Sequence, residues 1–165
     1  MYMKILILVR HAKSSWKDIS LDDFDRPLNK RGKRDAPLMG KLLAGKKLLP
    51  DLIISSPANR ASSTAKIIAE KVDYPNEKII WDENLYEATA NEILKVINEV
   101  DEKNKVLLLV AHNPGLTNFS NYLSNNFISN IPTCGVVAIT LEKKWEEITR
   151  DDGKILLIEY PKKYY

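Results

Sequence analysis

The chain has two histidines, and each follows an uninterrupted apolar run: Ile5-Leu6-Ile7-Leu8-Val9 leads into Arg10-His11, and Val106-Leu107-Leu108-Leu109-Val110-Ala111 leads into His112. An imidazole can act as a nucleophile, and an arginine beside it adds a permanent cation whose paired donors match a phosphate. A third stretch brings a similar group. Ser55-Ser56-Pro57 ends another apolar run, and Arg60 follows in what should be the first turn of a helix, where free backbone N–H groups and the helix dipole favour an anion. Phosphoryl transfer depends on positioning and on stabilising charge at the equatorial oxygens, so two guanidiniums, two imidazoles and a helix N-terminus suit it without a metal. One histidine must be neutral to attack, and neighbouring arginines disfavour a further positive charge. Glu87, in Asn84-Leu85-Tyr86-Glu87, is placed to give a leaving group its proton.

These side chains meet only if the stretches that carry them are neighbouring strands of one sheet. The runs before His11 and His112 read as strands buried on both faces, and open α/β sheets bind ligands at the carboxyl ends of such strands. Residues 13–28 are polar, with Asp18, Asp22, Asp23, Asp25 and Pro27, and read as a long ordered loop of the kind that often carries function. A helix follows, with Ala36, Met39, Leu42 and Leu43 on one face and Gly45 as its stop. Pro37 either kinks or divides it, since proline cannot donate to the carbonyl of Lys33. Asp51-Leu52-Ile53-Ile54-Ser55 predicts a strand and Ser56-Pro57 a helix N-cap with proline in the first turn. Ala61, Ala65, Ile68, Ala69 and Val72 form the stripe of that helix. Residues 78–81 predict a weaker strand. Thr89 with Glu92 matches a capping box ahead of Ile93, Val96, Ile97 and Val100, and Asn113-Pro114 repeats the cap-plus-proline signature ahead of Leu116, Phe119 and Leu123. Residues 135–141 and 154–160 predict two last strands, joined through a turn at Asp151-Asp152-Gly153. Strands alternating with helices predict an α/β fold, a three-layer α/β/α sandwich around a mostly parallel sheet of about six strands, with residues 1–165 as one domain.

Four segments carry a resemblance. Leu8-Val9-Arg10-His11-Ala12, Ser55-Ser56-Pro57-Ala58-Asn59-Arg60-Ala61, Leu85-Tyr86-Glu87 and Val110-Ala111-His112-Asn113-Pro114 resemble, in order and spacing, the signature blocks of the histidine phosphatase (phosphoglycerate mutase-like) superfamily. An Arg-His pair alone is common, whereas four blocks in order are specific. Asp25-Arg26-Pro27-Leu28-Asn29-Lys30-Arg31-Gly32 narrows the resemblance to the small SixA-type phosphohistidine phosphatases. The resemblance implies a phosphoglycerate mutase-like fold and His11 as the nucleophile of a phosphohistidine intermediate that water hydrolyses. It implies Arg10, Arg60 and His112 as holders of the phosphoryl group, with Arg26 reaching it from the long loop, and it sets Glu87 at the usual proton donor's position. Some SixA-type members lack an acid there, and an imidazole leaving group makes one less necessary. Blander roles stand beside these: Arg26 can pair with Asp22, Asp23 or Asp25, Glu87 can favour the start of the helix after it, and Lys13 can be a solvated loop residue. Ala12 stands where the superfamily most often has glycine, and its Cβ would cost stability if the backbone there needed a positive φ. Lys13, Ser14 and Ser15 replace an asparagine often found shortly after the histidine.

Composition narrows the remaining classes. With 44% hydrophobic and 28% charged residues, the chain fits a core that needs no disulfide or metal staple. Its net charge of +3 is mildly basic. The cluster Lys30, Arg31, Lys33, Arg34 has no aromatic platform or recognition motif beside it, so it reads as a solvated helix face and no nucleic-acid partner is expected. Cys134, the sole cysteine, is not followed by an Arg-rich phosphate loop and reads as a small buried residue in a reducing compartment. There is no Walker loop, no Gly-x-Gly-x-x-Gly and no metal-ligand cluster, so no cofactor or metal is expected. No run approaches the roughly 20 apolar residues of a membrane span, and the start of the sequence lacks a signal-peptide pattern, so the cytoplasm is the expected location. Only 26 residues separate Arg60 from Glu87 and 24 separate Glu87 from His112, which leaves little room for an inserted cap. An open pocket on a monomer admits a phosphorylated side chain of another protein, or a small phosphorylated molecule. The expected reaction is hydrolysis of protein phosphohistidine; a small-molecule phosphomonoesterase and a non-catalytic phosphate- or phosphoprotein-binding module are the alternatives.

Overall fold

The computed structural model describes residues 3–165. Six strands form one sheet in the order β3-β2-β4-β1-β5-β6. In chain order they are β1 (Lys4–Arg10), β2 (Leu52–Ser55), β3 (Ile80–Trp81), β4 (Val106–Ala111), β5 (Val136–Leu141) and β6 (Lys154–Glu159). Strands β1 to β4 pair in parallel, while β5 runs antiparallel to β1 and β6 antiparallel to β5. The two histidine runs occupy the middle because they are apolar on both faces: Leu6 and Leu8 enter one core, Ile7 and Val9 the other.

Helices α1 (Lys30–Gly45) and α2 (Asn59–Lys71) cover one face, through Ala36, Met39 and Leu43 and through Ala61, Ala65 and Ile68. Helices α3 (Ala90–Asn98) and α4 (Gly115–Ser124) cover the other with Ile93, Ile97, Leu116, Phe119 and Leu123. The three layers and the mostly parallel sheet are those expected.

Local differences have physical causes. Pro37 neither divides α1 nor ends it; the helix runs on to Gly45 because Ala36, Met39 and Leu43 are fully buried and their packing outweighs one missing backbone bond. Ser56 is not the cap of α2, which starts two residues later with Ala58 at the cap position. Asn113 does bond to the first turn of α4, its Oδ1 accepting from the Thr117 N–H at 3.1 Å, but from one residue outside the cap position. The third strand is only two residues long, since 76–78 fold as a 3₁₀ turn. The capping box at Thr89 and Glu92 is present in both directions. Residues 13–28 form a loop closed at its base, where Ser14 bridges Leu28 and the Ser15 N–H donates to Pro27 O at 2.8 Å.

Candidate active site

Register fixes the meeting point. Arg10 lies opposite Ala111 on the neighbouring strand and Ser55 opposite Val110, so His11, Ser56 and His112 leave the sheet side by side. The entry to β5 closes the same edge, with the Arg10 N–H donating to Gly135 O at 3.1 Å and the Cys134 N–H to His11 O at 3.0 Å.

The His11 ring is 8% exposed and its centroid lies 5.1 Å from that of His112. His11 Nδ1 stands 2.7 Å from Ala12 O. A carbonyl only accepts, so Nδ1 carries the proton and Nε2 keeps its lone pair. Burial lowers the His11 pKa to about 3; the Ala12 carbonyl works the other way, and His112, Arg60 and Arg10 add to the lowering. Burial likewise holds His112 at about 4, with Arg60 and Arg10 lowering it and Asp23 opposing them. His112 Nε2 lies 2.8 Å from Ser56 Oγ, and the Ala58 N–H reaches the same hydroxyl at 3.3 Å. Ser56, expected as a helix cap, therefore fixes the second histidine.

Arg10 donates to Ile131 O at 2.9 Å. Burial and then the Arg31 and Arg60 charges lower its pKa. Arg60, in the first turn of α2, donates to Asp23 O at 2.6 Å and to Asp23 Oδ2 at 2.9 Å. Arg26 stacks its guanidinium 3.3 Å from the Trp16 ring centroid and donates to Asp23 Oδ1 at 2.8 Å, to Ser15 O and to Ser14 Oγ. Arg10, His11, Arg26 and Arg60 line one cleft of about 230 Å³ together with Lys13, Ser14, Trp16 and Thr133. Glu87 does not line this cleft. It is exposed, has φ of 55° and borders an adjoining cleft of about 280 Å³ that it shares with His112 and Asn113.

Two positioning groups gave little sign of themselves in the sequence. Thr64 Oγ1 accepts from the Ala12 N–H at 2.9 Å and donates to Arg60 O at 2.7 Å, tying α2 to the backbone just after His11. Asp23 gathers Arg26, Arg60 and the Tyr86 hydroxyl; its spacing of three from Arg26 was the one available signal. Ala12 is not among the residues with positive φ, so its Cβ is unstrained and no glycine is needed there.

Imidazoles and guanidiniums are gathered at the carboxyl ends of parallel strands, an arrangement whose chemistry suits a phosphoryl group. Residues 6–105 match the histidine phosphatase superfamily (branch 1), and the chain belongs to that superfamily. It is 32% identical over 151 residues to an uncharacterised chloroplastic protein of Arabidopsis thaliana, covering 86% of this chain and 69% of that one. It superposes on the protein histidine phosphatase SixA complexed with tungstate with a TM-score of 0.84 at 18% identity, over 98% of this chain and 99% of the other. A SixA of Agrobacterium tumefaciens gives the same TM-score at 24% identity, over 98% and 100% of the two chains. Identities this low establish the shared, phosphoglycerate mutase-like fold. No helix among the described residues is long and apolar enough to cross a membrane.

Proposed function

We propose that this chain is a phosphatase domain, residues 1–165, that hydrolyses phosphohistidine borne on another protein through a phosphoenzyme on His11. The observation that carries this reading is the 2.7 Å bond between His11 Nδ1 and Ala12 O, which leaves the Nε2 lone pair free in a cleft lined by Arg10 and Arg60. Nε2 attacks phosphorus and the bond to the leaving nitrogen breaks, while Arg10, Arg60 and His112 hold the equatorial oxygens and Arg26 braces the loop above them. Water then attacks the phosphorus on His11 and the neutral ring is released. The guanidiniums supply the positive charge a metal would otherwise provide, so the reaction is read as metal-independent. Short connections on either side of Glu87 and an open cleft support a protein-borne substrate and a monomer. The single buried Cys134 supports a reducing compartment such as the cytoplasm.

Glu87 beside His112 favours a second reading, a small-molecule phosphomonoesterase, because an alkoxide leaves poorly without a proton. Turnover on phosphohistidine proteins, phosphoserine peptides and sugar phosphates, with acid-labile phosphate trapped on the enzyme, separates the two. His11→Ala is expected to abolish both turnover and labelling. Glu87→Gln is expected to keep phosphohistidine activity while lowering ester hydrolysis about a hundredfold. Turnover of any of these substrates with no acid-labile phosphate at His11 would sink the covalent mechanism.

A further inference from the structure

Among the described residues, Asp23 is the acid bonded to both Arg26 of the loop and Arg60 of α2, and these bonds give it a consequence for substrate choice. Its Oδ1 accepts from Arg26 at 2.8 Å, and its Oδ2 accepts from Arg60 at 2.9 Å and from the Tyr86 hydroxyl at 2.7 Å. A carboxylate offers about four acceptor positions, so one remains for a ligand. The Asp23 side chain is 45% exposed, whereas His11, which lines the cleft, is 8% exposed. In-line displacement puts the leaving group opposite the attacking nitrogen, hence away from the buried His11 ring, and the more exposed Asp23 carboxylate is bonded to two of the arginines that line the cleft.

We propose that Asp23 sets the charge preference for the leaving group, favouring phosphoryl donors whose leaving group is a cation with an N–H and disfavouring those that carry an anion. The inference rests on His11 as the nucleophile and deepens the phosphohistidine reading. A phosphohistidine ring protonated on its far nitrogen is such a donor: that N–H meets Asp23, the P–N bond breaks, the electron pair stays on the departing nitrogen, and a neutral imidazole leaves with its far N–H intact. No proton need be delivered to the breaking bond. Three donors keep Asp23 ionised, Tyr86 and the arginines outweighing the opposing effect of burial and holding its pKa at about 2. Arg10, which lines the same cleft, is bonded to Ile131 O and has no carboxylate partner among the described residues, which leaves its charge for the phosphoryl oxygens.

Two primary alkyl phosphates of opposite side-group charge, O-phosphoethanolamine and 3-phosphoglycerate, test the preference without relying on turnover. Binding of each is measured by calorimetry to His11→Ala protein and to the His11→Ala, Asp23→Asn double variant. The ratio of affinities is expected to favour phosphoethanolamine and to fall about tenfold with Asp23→Asn, the size of a unit-charge effect across a wet cleft. Asp23→Glu should restore it. An unchanged ratio, an equal loss of both affinities, or binding of neither compound overturns the proposal. If the ratio responds but the wild-type protein leaves phosphohistidine intact, the phosphohistidine reading fails and the role of Asp23 stands.

Discussion

At pH 7 the His11 ring is neutral, because burial first and the surrounding cations after it hold its pKa near 3. A histidine in water would be partly protonated at pH 6 and lose nucleophilicity there; this one keeps its lone pair well below that. Its Nδ1 is bonded to one carbonyl, Ala12 O, and the N–H of the same residue donates to Thr64 Oγ1, which anchors the backbone there. Thr64→Val keeps the shape but removes the acceptor, leaving a buried N–H without its partner. The expected cost is about 1–3 kcal/mol of stability, with kcat/KM falling about tenfold through kcat, as a misaimed nucleophile requires. Urea unfolding and steady-state kinetics check the two parts. A loss of stability with unchanged kcat would show that Thr64 holds the fold but does not aim the ring.

The elements owe their positions to packing more than to their own signals. Helix α1 runs through Pro37, which withholds a bond from the Lys33 carbonyl, yet Ala36, Met39 and Leu43 keep the helix seated. Pro37 itself is only partly buried, so Pro37→Ala restores the bond without disturbing the core. The variant is expected to be more stable by about 1–3 kcal/mol, read as a higher urea midpoint at constant slope. At the other face, α4 approaches the loop that carries Glu87 so closely that a Cβ on Gly115 would overlap Ala88 O. Glycine there is a packing requirement, and it sets how near Glu87 and His112 come to one another. The apolar periodicities of α1 to α4 and of β1 and β4 were legible in the sequence because burial on one or both faces imposes them. The caps at Ser56 and Asn113 were misplaced by one or two residues: the Ser56 hydroxyl bonds His112, a contact 56 positions away that no local signal encodes.

For the molecule as a whole, the two histidines make the site a source of acid sensitivity. Both are depressed in the folded protein, to about 3 and about 4, against about 6.5 in the unfolded chain. Between those values the unfolded chain binds protons that the folded one does not, so stability falls as pH drops below 6.5. The slope is up to about 1.4 kcal/mol per pH unit for each histidine. Asp23, with a folded pKa of about 2, adds to the loss only below about pH 4, where the unfolded carboxylate takes up a proton first. Urea unfolding at pH 7, 6 and 5 should show the decline, and His11→Ala should flatten part of it. A stability independent of pH across that range would contradict the buried, neutral state of both rings.

The sequence alone determined the family, the three-layer sandwich, and the placing of Arg10, His11, Arg60 and His112 at one edge of the sheet. These follow from short-range patterns: apolar runs long enough to be central strands, each ending in polar residues at the carboxyl edge of the sheet. Tertiary structure decided how those residues are held. Which nitrogen of His11 is free depends on Ala12 O and Thr64, the second histidine is fixed by Ser56, and Arg26 and Arg60 are gathered by Asp23 from the loop. Such hydrogen bonds join residues distant in the chain and depend on direction as well as on distance. They form only once the strands, helices and loop have been packed into place.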